Sequence, residues 1–259
     1  MEKLKKLFDI IFGDSKVVVI TGAGISTLSG IRDFRGENGL YTKGINVEYL
    51  LSHHCLEHEP DKFYEFYTNN LMPEGIEPNI VHKVLAKLEE RGLIDCIITQ
   101  NVDGLHHAAG SKNVIELHGN GTRFYCTNCN KTCTFEEYKY GYNIKNEIGE
   151  EKHVDGFVCK HCGHIVRPDI VLYDEFINAD DNARACVTIN AADKVIVLGS
   201  SLVVPSIFRL LNSFLYSSGK FRFEDLFIVN KNRTRYDYFG YVCRDDLGEV
   251  FELVKKKLD

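Results

Sequence analysis

Val17-Val18-Val19-Ile20-Thr21-Gly22-Ala23-Gly24-Ile25-Ser26 (VVVITGAGIS, residues 17–26) is the stretch that decides the fold class. A continuous β-branched run suits a strand buried on both faces, as in a parallel sheet. Glycines straight after it let the chain turn tightly, and the N–H groups of a following helix would face a phosphate. Taken alone, the motif is equally a plain βα turn. Thr27 stands where the third glycine of G-x-G-x-x-G belongs, and no acid follows the second strand at the usual distance. Working outward, similar apolar runs recur at 94–99, 195–198 and 226–229, with helical patterns at 81–88 and 182–189. The spacing of Leu4, Leu7, Phe8 and Ile11 predicts a first helix over 2–12. Strands alternating with helices predict an α/β fold with a doubly wound parallel sheet.

The 259 residues suffice for one large α/β domain or two modest ones. With 44% hydrophobic and 26% charged residues, wholesale disorder is excluded. The net charge is −6 and no long Lys/Arg run occurs, which argues against nucleic acid as the main ligand. No stretch of ~18 apolar residues is present to span a membrane. The N-terminal apolar stretch is interrupted by Asp9 and stops at Gly13, so it reads as a helix and not as an export signal. The nine cysteines include two C-x-x-C pairs, which points to metal binding in the reducing cytoplasm and not to a disulfide framework.

Two stretches break the strand–helix rhythm. Residues 36–77 are rich in Gly, His, Glu and aromatics; residues 121–166 are polar, with too little apolar content to fold on burial alone. Both read as insertions that build a smaller second module. In the second, Cys126-x-x-Cys129 and Cys159-x-x-Cys162 are separated by 29 residues. Four thiolates form a closed tetrahedral zinc site with no open position for substrate, hence a structural one. A redox pair is the alternative, disfavoured because two pairs share one insertion. Cys133, His161 and His164 are nearby spares.

Further polar groups stand at strand ends, where ligands of open α/β sheets bind. The set comprises Arg32, Asp33 and Arg35 between Gly30 and Gly36; Gln100, Asn101 and Asp103 in Thr99–His106; His118 beside Gly119; Gly199-Ser200-Ser201; and Asn230. Each has a plain reading too: a solvated turn, a helix N-cap, a hydrogen-bonded structural histidine.

In order along nearly the whole chain, GAGIS (22–26), DFRG (33–36), TQNVDGLH (99–106), LHGN (117–120), the two C-x-x-C pairs, GSS (199–201) and VN (229–230) resemble the sirtuins, the NAD-dependent protein deacylases. The resemblance implies a Rossmann-like large domain (1–35, 78–120 and 167–259). It also implies a small domain made of a helical insertion (36–77) and a zinc ribbon (121–166). NAD and an acyl-lysine peptide would meet in the cleft between them. Gly22, Ala23, Gly24, Ser26, Asp33, Phe34 and Arg35 would line the NAD site. Gln100, Asn101 and Asp103 would surround the nicotinamide ribose, Asn101 and Asp103 also acting in catalysis. Gly199, Ser200, Ser201 and Asn230 would hold the adenosine half. His118 would be the general base, and Cys126, Cys129, Cys159 and Cys162 the zinc ligands. The implied products are nicotinamide, O-acyl-ADP-ribose and free lysine; an NAD hydrolase or ADP-ribosyltransferase is the alternative.

Three stretches depart from the patterns of the family or its members. Arg32 replaces a proline. Val171-Leu172-Tyr173-Asp174-Glu175 stands for Val-x-Phe-Gly-Glu, the segment on which substrate backbone would pair as an added strand. Asp174 would be strained if the position needs φ > 0, and with Glu175 it would make the rim acidic. Finally, Tyr67 matches the tyrosine of succinyl- and malonyl-preferring members, but Asn70 stands where their arginine would be. Neutral acyl groups are therefore expected.

Overall fold

The computed structural model describes residues 2–36, 39–72, 75–145, 151–217 and 221–259. The chain runs α1 (Glu2–Ile11), β1 (Val17–Thr21), α2 (Val47–Leu50), α3 (His53–His58), α4 (Pro60–Asn70), α5 (Ile80–Glu90), β2 (Cys96–Thr99), α6 (Leu105–Ala108) and β3 (Val114–Glu116). It continues through β4 (Gly119–Cys126), β5 (Thr132–Cys133), α7 (Phe135–Tyr140), β6 (Tyr142–Lys145), β7 (Glu151–Val154) and β8 (Val166–Ile170). Last come α8 (Ala179–Asn190), β9 (Lys194–Leu198), α9 (Pro205–Leu215), β10 (Leu226–Val229), β11 (Tyr241–Cys243) and α10 (Leu247–Leu258).

Six strands form one sheet in the order β11-β10-β9-β1-β2-β3, every pair parallel. The β-branched run is buried throughout, and its alternate side chains serve two cores. Val17 and Val19 face a cluster with Leu7 and Ile11 of α1, Leu85 of α5 and Phe251 of α10. Val18 and Ile20 face Ile189 of α8 and Leu211 of α9. Burial on both faces is what a continuous apolar strand requires. The chain winds outward from β1 to β3, then returns to β9 on the other side of β1, so the switch point lies between β1 and β9.

Beyond β1 no α-helix follows directly. Residues Ala23–Ser29 make a 3-10 segment that stops at Gly30, with φ 92°. The crossover helix α5 begins only at Ile80. Its cap Asn79 donates to Ile25 O and Ser29 Oγ, both at 2.8 Å, tying the 3-10 segment to the helix N-terminus. The first glycine turn therefore lacks the long helix dipole that the sequence pattern suggested.

A third cluster joins the two insertions. Phe63 and Tyr67 of α4 pack with Phe124 of β4, Tyr138 of α7 and Cys126 and Cys159. The ring of Phe124 stacks on Tyr138 at 4.2 Å. The cysteine segment thus completes its own Phe124–Tyr138 stack with aromatics of the helical insertion, burial that residues 121–166 alone do not supply.

Candidate active site

Four chain segments converge at the carboxyl ends of β1, β2, β3 and β9. Gly22 N donates to Leu198 O (3.1 Å) and Gly24 N to Gly199 O (2.8 Å). A Cβ on Gly24 would lie 2.7 Å from Gly199 O, and one on Gly22 would lie 2.8 Å from Ser200 Cβ. These glycines are needed because two loops touch across the switch point.

From there a polar network spreads. Gln100 Nε2 donates to Ser200 Oγ at 2.7 Å. Asn101 Nδ2 donates to Gly22 O (3.2 Å) and Ser26 Oγ (3.1 Å). Ser26 Oγ donates to Asp103 Oδ2 at 2.6 Å, and Asp103 Oδ1 accepts from Leu105 N at 2.9 Å. Burial pushes the Asp103 carboxyl up; these two hydrogen bonds only partly oppose it. Beside Asp103 opens a cavity of about 530 Å³, lined among others by Ile31, Leu71, Met72, Leu105 and Phe135. Thr21 and His106, which lie in two of the quoted motifs but received no role in the sequence reading, are buried and bond at 2.9 Å.

His118 lies where β3 leaves the large sheet. Its Nδ1 is 3.0 Å from Gln100 O. A carbonyl only accepts, so Nδ1 carries the proton and Nε2 keeps its lone pair. Burial lowers the affinity of the ring for a second proton, and the Gln100 contact partly offsets this. The neutral, basic form is thus the resting form at neutral pH. Gly119, at φ 78°, has no room for a side chain: its Cβ would lie 2.2 Å from Asp169 O.

Residues 33–36 and 39–41 are tied to one another by hydrogen bonds. Asp33 Oδ1 accepts from Gly36 N (3.0 Å), Asp33 O from Leu40 N and Phe34 O from Tyr41 N (both 3.0 Å). Arg32 and Arg35 are exposed. Asn230 lies two strands from β1, its Nδ2 donating to Asn232 O at 2.9 Å. Ser201 is half-buried after β9.

Segment 171–175 is anchored on several sides. Val171 N donates to His118 O (2.9 Å), Tyr173 N to Leu51 O (3.0 Å), and His53 N to Tyr173 O (3.3 Å). Asp174 has φ 73°, the left-handed region that the departure from glycine made a concern. Its carboxylate accepts from His53 N (2.9 Å) and His54 N (3.4 Å) at the start of α3. Glu175 is held by Arg167, Nη1 at 2.6 Å and Nη2 at 2.9 Å, with Leu172 N at 2.9 Å and His53 Nδ1 at 3.0 Å. Burial pushes the Glu175 carboxyl up, but these donors outweigh it and hold it down at about 2. Glu175 is paired with Arg167, whereas Asp174 is exposed and its carboxylate accepts from backbone N–H groups that carry no charge. Arg167, which the sequence reading missed, is the buried counter-ion.

The four cysteine sulfurs lie within 4.8 Å of one another. Cys126 Sγ is 3.4 Å from Cys162 Sγ, and Cys129 Sγ is 3.7 Å from Cys159 Sγ. Four sulfurs each about 2.3 Å from one ion would be about 3.8 Å apart. The N–H groups of Asn128 and His161 point at Cys126 and Cys159 Sγ (3.5 and 3.4 Å), as thiolate ligands require. The donor set fits zinc.

The Sir2 family profile matches residues 22–206. The chain belongs to the Sir2 family. A relative from Clostridium perfringens named NAD-dependent protein deacetylase is 41% identical over 254 residues, covering 96% of this chain and 97% of its own length. One of the same name from Listeria monocytogenes is 38% identical over 249 residues, covering 96% and 99%. Among solved structures, a Sir2 with p53 peptide and NAD+ is 36% identical with a TM-score of 0.82, covering 98% of each chain. A Sir2 variant with deacetylated p53 peptide and 3′-O-acetyl ADP-ribose reaches 0.85 at 36% identity and the same coverage. Among the described residues, no helix of this Sir2 chain is long and apolar enough to cross a membrane.

Proposed function

We infer that this chain is an NAD-dependent protein-lysine deacylase, removing acetyl or other neutral acyl groups and releasing nicotinamide and O-acyl-ADP-ribose. The observation that carries the reading is His118: a half-buried imidazole whose Nδ1 is fixed on Gln100 O, leaving Nε2 as a base. NAD supplies the ribose carbon that accepts the acyl oxygen once nicotinamide leaves.

This chain's residues do the rest. The Gly22–Ser26 turn, the 33–35 loop, Gly199–Ser201 and Asn230 bind the dinucleotide across the switch point, where such ligands sit. Gln100, Asn101 and Asp103 hold the nicotinamide ribose, with the cavity beside Asp103 giving room at that end. Val171, Tyr173, Asp174 and Glu175 present the acyl-lysine peptide. His118 Nε2 takes a proton from a ribose hydroxyl, which then attacks the transferred acyl group; the rest of the task is holding weak reactants in register. Zinc on Cys126, Cys129, Cys159 and Cys162 is structural, because four thiolates leave it no open position. The shared aromatic cluster supports treating 36–77 and 121–166 as one small domain. Asn70 Nδ2 turns back to Phe66 O (2.9 Å) and Tyr67 Oη donates to Gly121 O (3.0 Å), so neither offers a cation to a charged acyl chain. Cysteine usage supports a cytoplasmic location.

The test is mass spectrometry of the protein with NAD, with and without an acetyl-lysine peptide, alongside His118→Ala. Peptide-dependent nicotinamide release with O-acetyl-ADP-ribose, lost in the variant, is expected. Free ADP-ribose formed equally without peptide would make the chain an NAD hydrolase. Faster removal of succinyl than acetyl would overturn the neutral-acyl reading.

A further inference from the structure

Tyr173 stands where the sirtuin pattern has phenylalanine, and its added hydroxyl has a partner. Tyr41 Oη and Tyr173 Oη are 2.5 Å apart. Tyr41 ends the cofactor-side loop, while Tyr173 lies in the segment assigned to the peptide; 132 residues separate them in sequence. We propose that Tyr41 and Tyr173 are a positioning pair, a latch that fastens the cofactor loop to the peptide segment so that each ligand favours binding of the other.

Both ends of the latch are stiff. Leu40 N and Tyr41 N donate to Asp33 O and Phe34 O, so a shift of Tyr41 is transmitted to Asp33, Phe34 and Arg35. The Arg35 guanidinium also lies over the Tyr41 ring, 5.0 Å from its centroid. On the other side, the Tyr173 backbone is bonded through both N–H and C=O to residues 51–53. A hydroxyl pair joining two stiffened segments transmits position, which a phenylalanine in the same place would not. Burial first, then the Tyr173 hydrogen bond, raises the Tyr41 phenol above its usual range, so the Tyr41 hydroxyl keeps its proton near neutral pH. By linkage, whatever the cofactor does for peptide affinity the peptide does for cofactor affinity.

The proposal rests on the NAD and peptide sites assigned above, and its test separates the two. Peptide affinity is measured by calorimetry with and without a carbocyclic, non-reacting NAD analogue, for the wild type and for Tyr41→Phe, Tyr173→Phe and the double variant. Each variant loses one or two hydroxyls and no ring packing. The ratio of the two peptide dissociation constants reports the coupling. We expect it to fall about two- to five-fold in either single variant, the effect of one partly exposed hydrogen bond, with no further fall in the double. If Tyr173 merely touched the peptide, its loss would change both constants alike and leave the ratio intact; that outcome, or additive losses in the double variant, overturns the latch. A wild type that binds neither ligand overturns the functional reading itself, and the latch with it.

Discussion

Glu175→Gln tests how the peptide segment is held. The substitution keeps shape and one acceptor but removes the charge that faces Arg167. The Arg167 side chain is 7% exposed and that of Glu175 22%. Removing one partner of a fully buried pair costs about 3–5 kcal/mol, because the remaining charge is stranded. A second route gives a similar figure. Pulling a carboxyl from 4.5 to about 2 corresponds to about 3.4 kcal/mol; discounted for the water that reaches Glu175, about 2 kcal/mol remains. We therefore expect the variant to be about 2–3 kcal/mol less stable in urea unfolding at pH 7. The sign with pH follows from the lowered folded-state value. The stabilisation is complete above the usual carboxylate range and is lost as pH falls from 4.5 toward 2, with more than half gone by about pH 3. The difference between wild type and variant should shrink over that window. A variant within about 0.5 kcal/mol of wild type at pH 7, or a difference independent of pH, would refute the view that Arg167 depends on this carboxylate.

The acid limb of kcat/KM should have its midpoint below 6.5, since burial lowers the His118 pKa and only the neutral ring accepts a proton; a midpoint above 6.5 would contradict the assignment. Elemental analysis should find about one zinc per chain in the purified protein, and Cys159→Ser or a strong chelator should remove it and unfold the small domain. Unchanged near-ultraviolet dichroism after zinc loss would count against a structural site. His82 and His106 are buried with rings 5.0 Å apart, and burial holds their pKa values down at about 4 and about 3. Unfolding lets them take up protons below 6.5, so stability should fall on acidification by up to about 1.4 kcal/mol per pH unit for each histidine. His106→Gln should flatten that slope by about one proton, and an unaltered slope would show that the pair is not the source.

The doubly wound sheet was legible because β1, β9 and β10 are uninterrupted apolar runs, and a strand buried on both faces leaves no other pattern. β11 was not, because Tyr241–Cys243 is too short to show a period. The 3-10 segment after β1 was hidden for a different reason. A glycine-rich turn is compatible with either outcome, and Gly30 plus the Asn79 contacts decide it only in three dimensions. The cysteines announced a zinc site through spacing alone, yet part of the aromatic support under it comes from α4, far earlier in the chain. Arg167 carried no signal, since a single arginine before a proline reveals nothing about a carboxylate eight residues on.

Asp174 shows how a departure from a family pattern is absorbed. A side chain in the left-handed region costs about 1–2 kcal/mol. Against this, a carboxylate at a helix N-terminus contributes about 0.3–1 kcal/mol, and hydrogen bonds to a charged acceptor more. The Asp174 carboxylate takes two such N–H groups from α3. The strain and its offset are of similar size, so the replacement of glycine need not deform the segment. What changes is attachment. Tyr173 reaches Tyr41, Asp174 reaches His53 and His54, and Glu175 reaches His53 and Arg167. Three consecutive side chains turn a segment that glycine would leave free at one point into one bolted to the helical insertion. Read from adjacent letters, Asp174 and Glu175 suggested an acidic rim. The geometry makes the same letters fasteners as well: Glu175 spends its charge on Arg167, while Asp174 holds the start of α3 and keeps its carboxylate exposed.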